Sequence, residues 1–203
     1  MTTINTLEQL DALYGQPHER SLRKELDHLS APYQELVRAA PFVVLATAGP
    51  DGLDCSPRGD APGFVQVLDE RTLLLPDRPG NNRIDSLRNI VADPRMALLF
   101  MIPGVGESLR VNGRASISLE PELLEACAVQ GKLPRSVLRI SVERCYFQCS
   151  KAIVRSRLWD PEHQADRSQL PSAADMIKAV SDADFDAVSY ERDLQLRIKN
   201  GLY

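Results

Sequence analysis

Leu73 to Pro94, LLLPDRPGNNRIDSLRNIVADP, decides how this chain is read. The stretch opens as the end of a strand, passes through a tight turn crowded with Arg and Asn, and becomes an amphipathic helix halted at Asp93-Pro94. Ile84, Leu87, Ile90 and Val91 recur at helical spacing and give that helix one apolar face. Asn82 is the expected N-cap, with Asp85 as its capping-box partner. Arg78, Arg83 and Arg88 crowd the helix start, where backbone N–H groups lack intrahelical acceptors and attract anions, phosphate above all. The same arginines would serve as solvated charges around an ordinary cap, and Asp85 would repel a phosphate, so both readings stand on this stretch alone.

Outward from it, the sequence predicts short strands. Phe42 to Thr47 is a β-rich apolar run closed by Gly49-Pro50-Asp51-Gly52, a strong turn signal. In LDCSPRGDAPGFVQVLD, Pro57, Gly59, Pro62 and Gly63 interrupt what should be a strand, which marks an edge, a bulge or a ligand approach. Phe64 to Leu68 and Thr72 to Leu75 form a hairpin about Asp69-Glu70-Arg71. Arg95 to Ile102 is nearly all apolar, Ser108 to Leu119 alternates with a bulge or bend suggested at Gly113, and Val137 to Phe147 alternates again. Several short strands with hairpin signals and few helices predict a small antiparallel barrel.

Residues 1–40 read as a helical arm, with apolar stripes through Leu7, Leu10, Leu13, Tyr14 and through Leu22, Leu26, Leu29. A barrel domain over 41–160 and a polar linker with a C-terminal helix over 161–203 complete the expected organisation.

A chain of 203 residues is expected to hold one domain with extensions, and its 43% hydrophobic content suffices for a core. The net charge of -4 argues against a nucleic-acid binder. No apolar run is long enough to span a bilayer and the N-terminal stretch lacks a signal-peptide pattern, so the expectation is a cytoplasmic protein that does not engage membranes. Cys55, Cys127, Cys145 and Cys149 show no CxxC spacing and are expected to be buried free thiols, with no metal site. His18, His28 and His163 lie outside the strands and no GxSxG is present, which disfavours a hydrolase. The absence of GxGxxG and GxxxxGK[ST] removes support for a dinucleotide fold or a P-loop. What remains is a set of cationic and amide side chains at strand ends: Arg58, Arg78, Asn81, Asn82, Arg83, Arg110, Lys151 and Arg155. Such a set suits a phosphorylated planar ligand that carries its own chemistry, as flavin mononucleotide (FMN) does.

Cys55-Ser-Pro-Arg-Gly-Asp, Pro62-Gly-Phe-Val, Leu75-Pro-Asp-Arg-Pro-Gly-Asn-Asn-Arg, Asp85-Ser-Leu, Glu107-Ser-Leu-Arg-Val-Asn-Gly-Arg-Ala and Cys149-Ser-Lys-Ala resemble the pyridoxamine 5′-phosphate oxidase-like family of FMN-binding split-barrel proteins. The resemblance runs over about residues 5–180 and is narrowest to a subgroup carrying the SPRGD and PDRPGNNR motifs. It implies a mainly β protein with helices: a six-stranded antiparallel split β-barrel, a homodimer, and FMN in the cleft between subunits. Carried over by position, Asn81, Asn82 and Arg83 match the phosphate-binding stretch; Arg78 and Lys151, from the cationic set above, are further candidate cofactor contacts. Leu75 and Pro76 would face the flavin ring, and Ser56 and Arg58 fall near flavin and phosphate contacts. Ser108 or Glu107 stands where the oxidase has a glutamine, and Trp159 matches a tryptophan reaching FMN from the partner subunit.

The oxidase's Arg-Leu-His-Asp-Arg substrate grip is replaced here by Pro161-Glu-His-Gln-Ala-Asp-Arg-Ser. The expected function is therefore an FMN-dependent oxidoreductase of unassigned substrate and catalytic residues. The alternatives are a pyridoxamine phosphate oxidase with a differently built substrate site, and a non-enzymatic protein binding flavin, haem or a deazaflavin.

Overall fold

A computed structural model describes residues 3–182 and 184–203. Its centre is one antiparallel sheet of seven strands: β1 (Phe42–Gly49), β2 (Gly52–Gly59), β3 (Gln66–Asp69), β4 (Thr72–Asp77), β5 (Arg95–Met101), β6 (Ser108–Ser118) and β7 (Ser136–Gln148). Their order is β2-β1-β5-β6-β7-β4-β3. The split-barrel architecture expected from the sequence is the one found, with seven strands in place of six. The helices are α1 (Leu7–Tyr14), α2 (Glu19–Arg23), α3 (Ala31–Ala39), α4 (Asp85–Ala92), α5 (Pro121–Ala126), α6 (Lys151–Ser156), α7 (Ala173–Lys178) and α8 (Ala187–Asn200).

Alternation builds the core. Val43 and Leu45 of β1, Leu98 and Phe100 of β5, Leu109 and Val111 of β6 and Ile140 of β7 are at most 1% exposed. Each strand sends every second side chain to one face, and the sheet's curl brings those faces together. Burying a Leu, Val or Phe side chain of this kind stabilises the fold by about 1.5–3 kcal/mol.

β6 and β7 carry the fold's main irregularity. Asn112 pairs with Arg144 but Gly113 pairs with Val142, so Glu143 is an extra residue on β7. Inward positions on β7 accordingly change from Leu138, Ile140 and Val142 to Cys145. The bulge expected at Gly113 lies on the facing strand, with Gly113 as the residue that lets β7 approach. Below it β7 pairs with β4, and above it Leu26 of the arm bridges Cys145 through paired backbone bonds of 2.9 and 2.8 Å. The arm thus extends the sheet where β4 has ended.

The proline-broken stretch takes the first of its three expected readings, and the start of the central helix is corrected. The proline-broken stretch is a regular edge strand, since β2 pairs with β1 from Gly52 to Gly59 without a register shift. An edge tolerates Pro57 because its missing N–H faces no neighbour. The central helix begins at Asp85, with Ile84 as a left-handed N-cap (φ 54°) that makes no side-chain cap bond. Asn82, itself left-handed at φ 62°, therefore does not cap it. In α1, Leu7, Leu13 and Tyr14 are largely exposed.

All four cysteines are free, but only two are buried. Burial pushes the Cys127 thiol up, and burial followed by the nearby Asp27 charge pushes Cys145 up to about 11. Because the thiolate is the reactive species, a disulfide reagent at pH 8 should titrate Cys55 and Cys149 in the native protein, and all four thiols only after denaturation. Fast native reaction of four thiols would refute the burial of Cys127 and Cys145.

Candidate functional site

A cavity of about 540 Å³ opens where the two flanks of the curled sheet approach each other. β2, near one end of the strand order, supplies Asp54, Ser56 and Arg58. Their spacing of two puts all three on one face of the strand. β4, near the other end, supplies Pro76 and Asp77, and the loop to α4 adds Arg78 through Ile84. Asp85 and Ser86 of α4, Phe64, and Arg135 just before β7 complete the wall.

Arg58 spans the split. Its Nη1 donates to Asp77 Oδ1 at 3.4 Å and its Nη2 to Ser86 Oγ at 3.2 Å. Ser86 Oγ in turn donates to Asp54 Oδ2 at 2.5 Å, and Ser56 Oγ reaches both Asp54 oxygens at 3.1 Å. The third nitrogen of the guanidinium, Arg58 Nε, is buried and has no acceptor. A buried charged donor without a partner carries a desolvation cost, so Arg58 is held across the split at some expense to stability.

The loop is held open by its own bonds. Arg83 N–H donates to Asn81 Oδ1 at 3.0 Å, and Arg135 Nη1 donates to Asn82 Oδ1 at 2.9 Å. Ile84 in the left-handed region is a strained conformation for a β-branched residue, of order 1–3 kcal/mol. Four arginines (Arg58, Arg78, Arg83, Arg135) face three lining carboxylates (Asp54, Asp77, Asp85). Arg83 is taken by Asp85 at 2.8 Å. Burial pushes the Asp77 carboxyl above its ordinary value, against the pull of Arg58 and Arg135.

Seven of the residues singled out in the sequence line this cavity: Ser56, Arg58, Pro76, Arg78, Asn81, Asn82 and Arg83. Leu75 does not, because it alternates into the core and is 1% exposed. Glu107, Ser108, Lys151 and Trp159 do not line it either. They gather around the β5–β6 turn, where Trp159 Nε1 donates to Val105 O at 2.8 Å and Lys151 opens α6. Glu107 there borders an apolar groove with Tyr33, Leu36, Ile102 and Phe147.

Sequence reasoning missed Asp54, Asp77, Ser86 and Arg135. The only signal for Arg135 is the pairing of Asp77 with Ser136, a long-range register that local pattern does not reveal. No cluster of His, Cys, Asp or Glu fit to hold a metal occurs among the described residues, and no histidine lines the cavity.

No curated protein matches this chain. Solved structures resemble it at low identity. HupZ of Group A Streptococcus is 21% identical, covering 60% of this chain and 94% of its own, with a TM-score of 0.48. A protein of Clostridium acetobutylicum related to general stress protein 26, of the pyridoxinephosphate oxidase family, is 14% identical over 57% of this chain and 84% of its own, TM-score 0.45. A FAD-binding protein of Mesorhizobium loti is 19% identical over 59% of this chain and 93% of its own, TM-score 0.41. At such scores these likenesses bear no weight on function. The profile described as pyridoxamine 5′-phosphate oxidase, however, matches residues 29–149, more than half of the chain. By that match, over the strands that build the cavity, the chain belongs to the pyridoxamine 5′-phosphate oxidase family.

Proposed function

We propose that this protein binds FMN in the cavity between β2 and the β4–α4 loop and works as an FMN-dependent oxidoreductase. The observation that carries the reading is the convergence of four arginines, Arg58, Arg78, Arg83 and Arg135, on one cavity whose lining holds three carboxylates. A cavity of about 540 Å³ lies within the usual range of about 300–1,000 Å³ for small-molecule sites.

The residues fit a phosphate monoester attached to a flat aromatic body. Arg58, Arg78, Asn81, Asn82 and the free N–H groups opening α4 would hold the phosphate. Phe64, Pro57 and Pro76 offer an apolar wall nearby and exclude water from it. Bound flavin supplies the acceptance of a hydride or electrons; the chain's part is to anchor, orient and dehydrate it.

The division of the remaining candidates supports a two-subunit site. Glu107, Ser108, Lys151 and Trp159 lie apart from the cavity in one chain, as expected if a partner subunit brings them to the ligand. The proposed assembly is thus a homodimer with the flavin between subunits. No helix among the described residues is long and apolar enough to cross a membrane, which accords with a cytoplasmic location.

Protein purified without added cofactor tests the reading. Its absorbance spectrum should show flavin bands, and acid precipitation should release FMN near one equivalent per subunit, identified by mass. Colourless protein that also fails to bind added FMN would refute the proposal.

A further inference from the structure

Arg78, at the mouth of the cavity, is fixed by a residue far away in sequence. Its Nε donates to Asp60 Oδ2 at 2.9 Å, and the ring of Tyr203 lies 5.6 Å from its guanidinium carbon. Tyr203 OH donates to Asp60 Oδ1 at 2.5 Å, across 143 positions of chain, and the Ala61 N–H reaches the same oxygen at 2.7 Å. Lys132 Nζ donates to the backbone oxygen of Tyr203 at 3.1 Å, holding the segment after α8 in place. The Asp60 side chain is 4% exposed and that of Arg78 is 15% exposed.

These contacts leave Arg78 in a particular condition. One edge of the guanidinium is tied at Nε and one face is covered by an aromatic ring, an arrangement favourable for a cation. Among the described residues its two terminal nitrogens donate to no protein acceptor, although the side chain lines the cavity. Burial would push the Asp60 carboxyl up, but the bonds from Tyr203, Ala61 and Arg78 hold it below its ordinary value. Asp60 therefore stays charged and keeps its grip on Arg78 at neutral pH.

We propose that Tyr203 is a positioning residue for the anion site: with Asp60 it sets the rotamer of Arg78, so that the free end of the guanidinium is ready for the ligand's phosphate. The inference rests on the reading of the cavity as a phosphate site. An arginine on a flexible stem loses rotamer freedom when it grips an anion, and one already fixed loses less. The segment after α8 thereby becomes part of the binding site without touching the ligand, and by reciprocity a bound phosphate should hold that segment in place.

The test is a double-mutant cycle between Tyr203→Ala and Arg78→Ala, read as dissociation constants for FMN and for riboflavin, which lacks the phosphate. Tyr203→Ala should weaken FMN binding by about tenfold, the scale of one immobilised side chain, and leave riboflavin unchanged. Tyr203→Phe, which keeps the ring and loses the bond to Asp60, should fall between. In the Arg78→Ala background the Tyr203 effect should vanish, because it acts through Arg78. Equal losses for FMN and riboflavin, or additive effects of the two substitutions, would overturn the positioning role while leaving the flavin site standing. Wild-type protein that binds neither ligand would bring down the cavity assignment and this inference together.

Discussion

Gly113→Ala is expected to cost about 3–5 kcal/mol of stability, a large part of the roughly 5–15 kcal/mol that holds a typical fold together. Gly113 is buried on β6 opposite the bulge in β7. A Cβ there would penetrate the Ser141 carbonyl oxygen and lie 3.1 Å from its carbon and 3.4 Å from Val142 Cα. Those atoms are backbone, and the backbone is pinned from several directions. Ser141 pairs with Thr72 on one side and Arg114 on the other, and the Val142 N–H donates to Arg71 O at 2.8 Å. A side chain could turn aside; this strand cannot without tearing β4 or β6 from its neighbour. Thermal unfolding should therefore show a midpoint lowered by about 6–20 °C, given roughly 2–4 °C per kcal/mol for chains of this size. Gly80→Ala is the matched control, because a Cβ at Gly80 meets nothing within 4 Å. Equal midpoints for the two variants would show that the bulge can relax and that the tight approach at Gly113 is not required.

The strands were legible because their determinants are local. Period-two alternation, the Gly49–Gly52 turn and the Asp69–Arg71 hairpin each act within a few residues, and each appears where the sequence predicts it. The start of α4 was misplaced for a physical reason. Asn82 has the chemistry of a cap, but the loop uses its amide to accept from Arg135, and the chain enters the helix through a left-handed Ile84. Propensity points to Asn82 while tertiary bonding decides otherwise. Glu143 shows the same limit from another side, since a single extra residue in an otherwise alternating strand matters only once its partner's register is known.

Of the cavity, the sequence offered the loop, Ser56, Arg58 and Pro76 but not what surrounds them. Arg135 and Tyr203 lie 53 and 143 positions from the residues they touch, and no local pattern announces either. The carboxylates Asp54 and Asp77 read as ordinary strand-end charges until the curl of the sheet puts β2 against the end of β4. A site lying in the gap between non-adjacent strands is recognisable in sequence only through the residues that could bind, and the residues that orient them come from the fold.

Arg58→Ala should weaken FMN binding by about 100-fold, the scale expected for charge-assisted hydrogen bonds to a phosphate in a partly dehydrated site. It should also destabilise the protein in a pH-dependent way that separates the two roles of this side chain. Asp77, 16% exposed, already has its carboxyl raised by burial, with Arg58 the larger of two charges pulling it down. Removing Arg58 leaves that carboxylate closer to a bare buried charge, so its folded pKa rises further above the unfolded value of about 3.9. For a group raised on folding, the stabilising contribution of the protonated form is present below the unfolded pKa and is lost as pH rises through the folded one. The stability gap between Arg58→Ala and wild type should accordingly be widest at neutral pH and should narrow as pH falls toward 5 and below. Adding Asp77→Asn removes the stranded charge and should restore much of the stability, yet FMN affinity should stay low because the phosphate has still lost its guanidinium. Denaturant titrations across that pH range, paired with fluorescence titration of FMN, check both halves. An Arg58→Ala variant that binds FMN as wild type does would detach the phosphate from this cavity, whereas affinity restored along with stability by Asp77→Asn would reduce Arg58 to a structural bridge across the split.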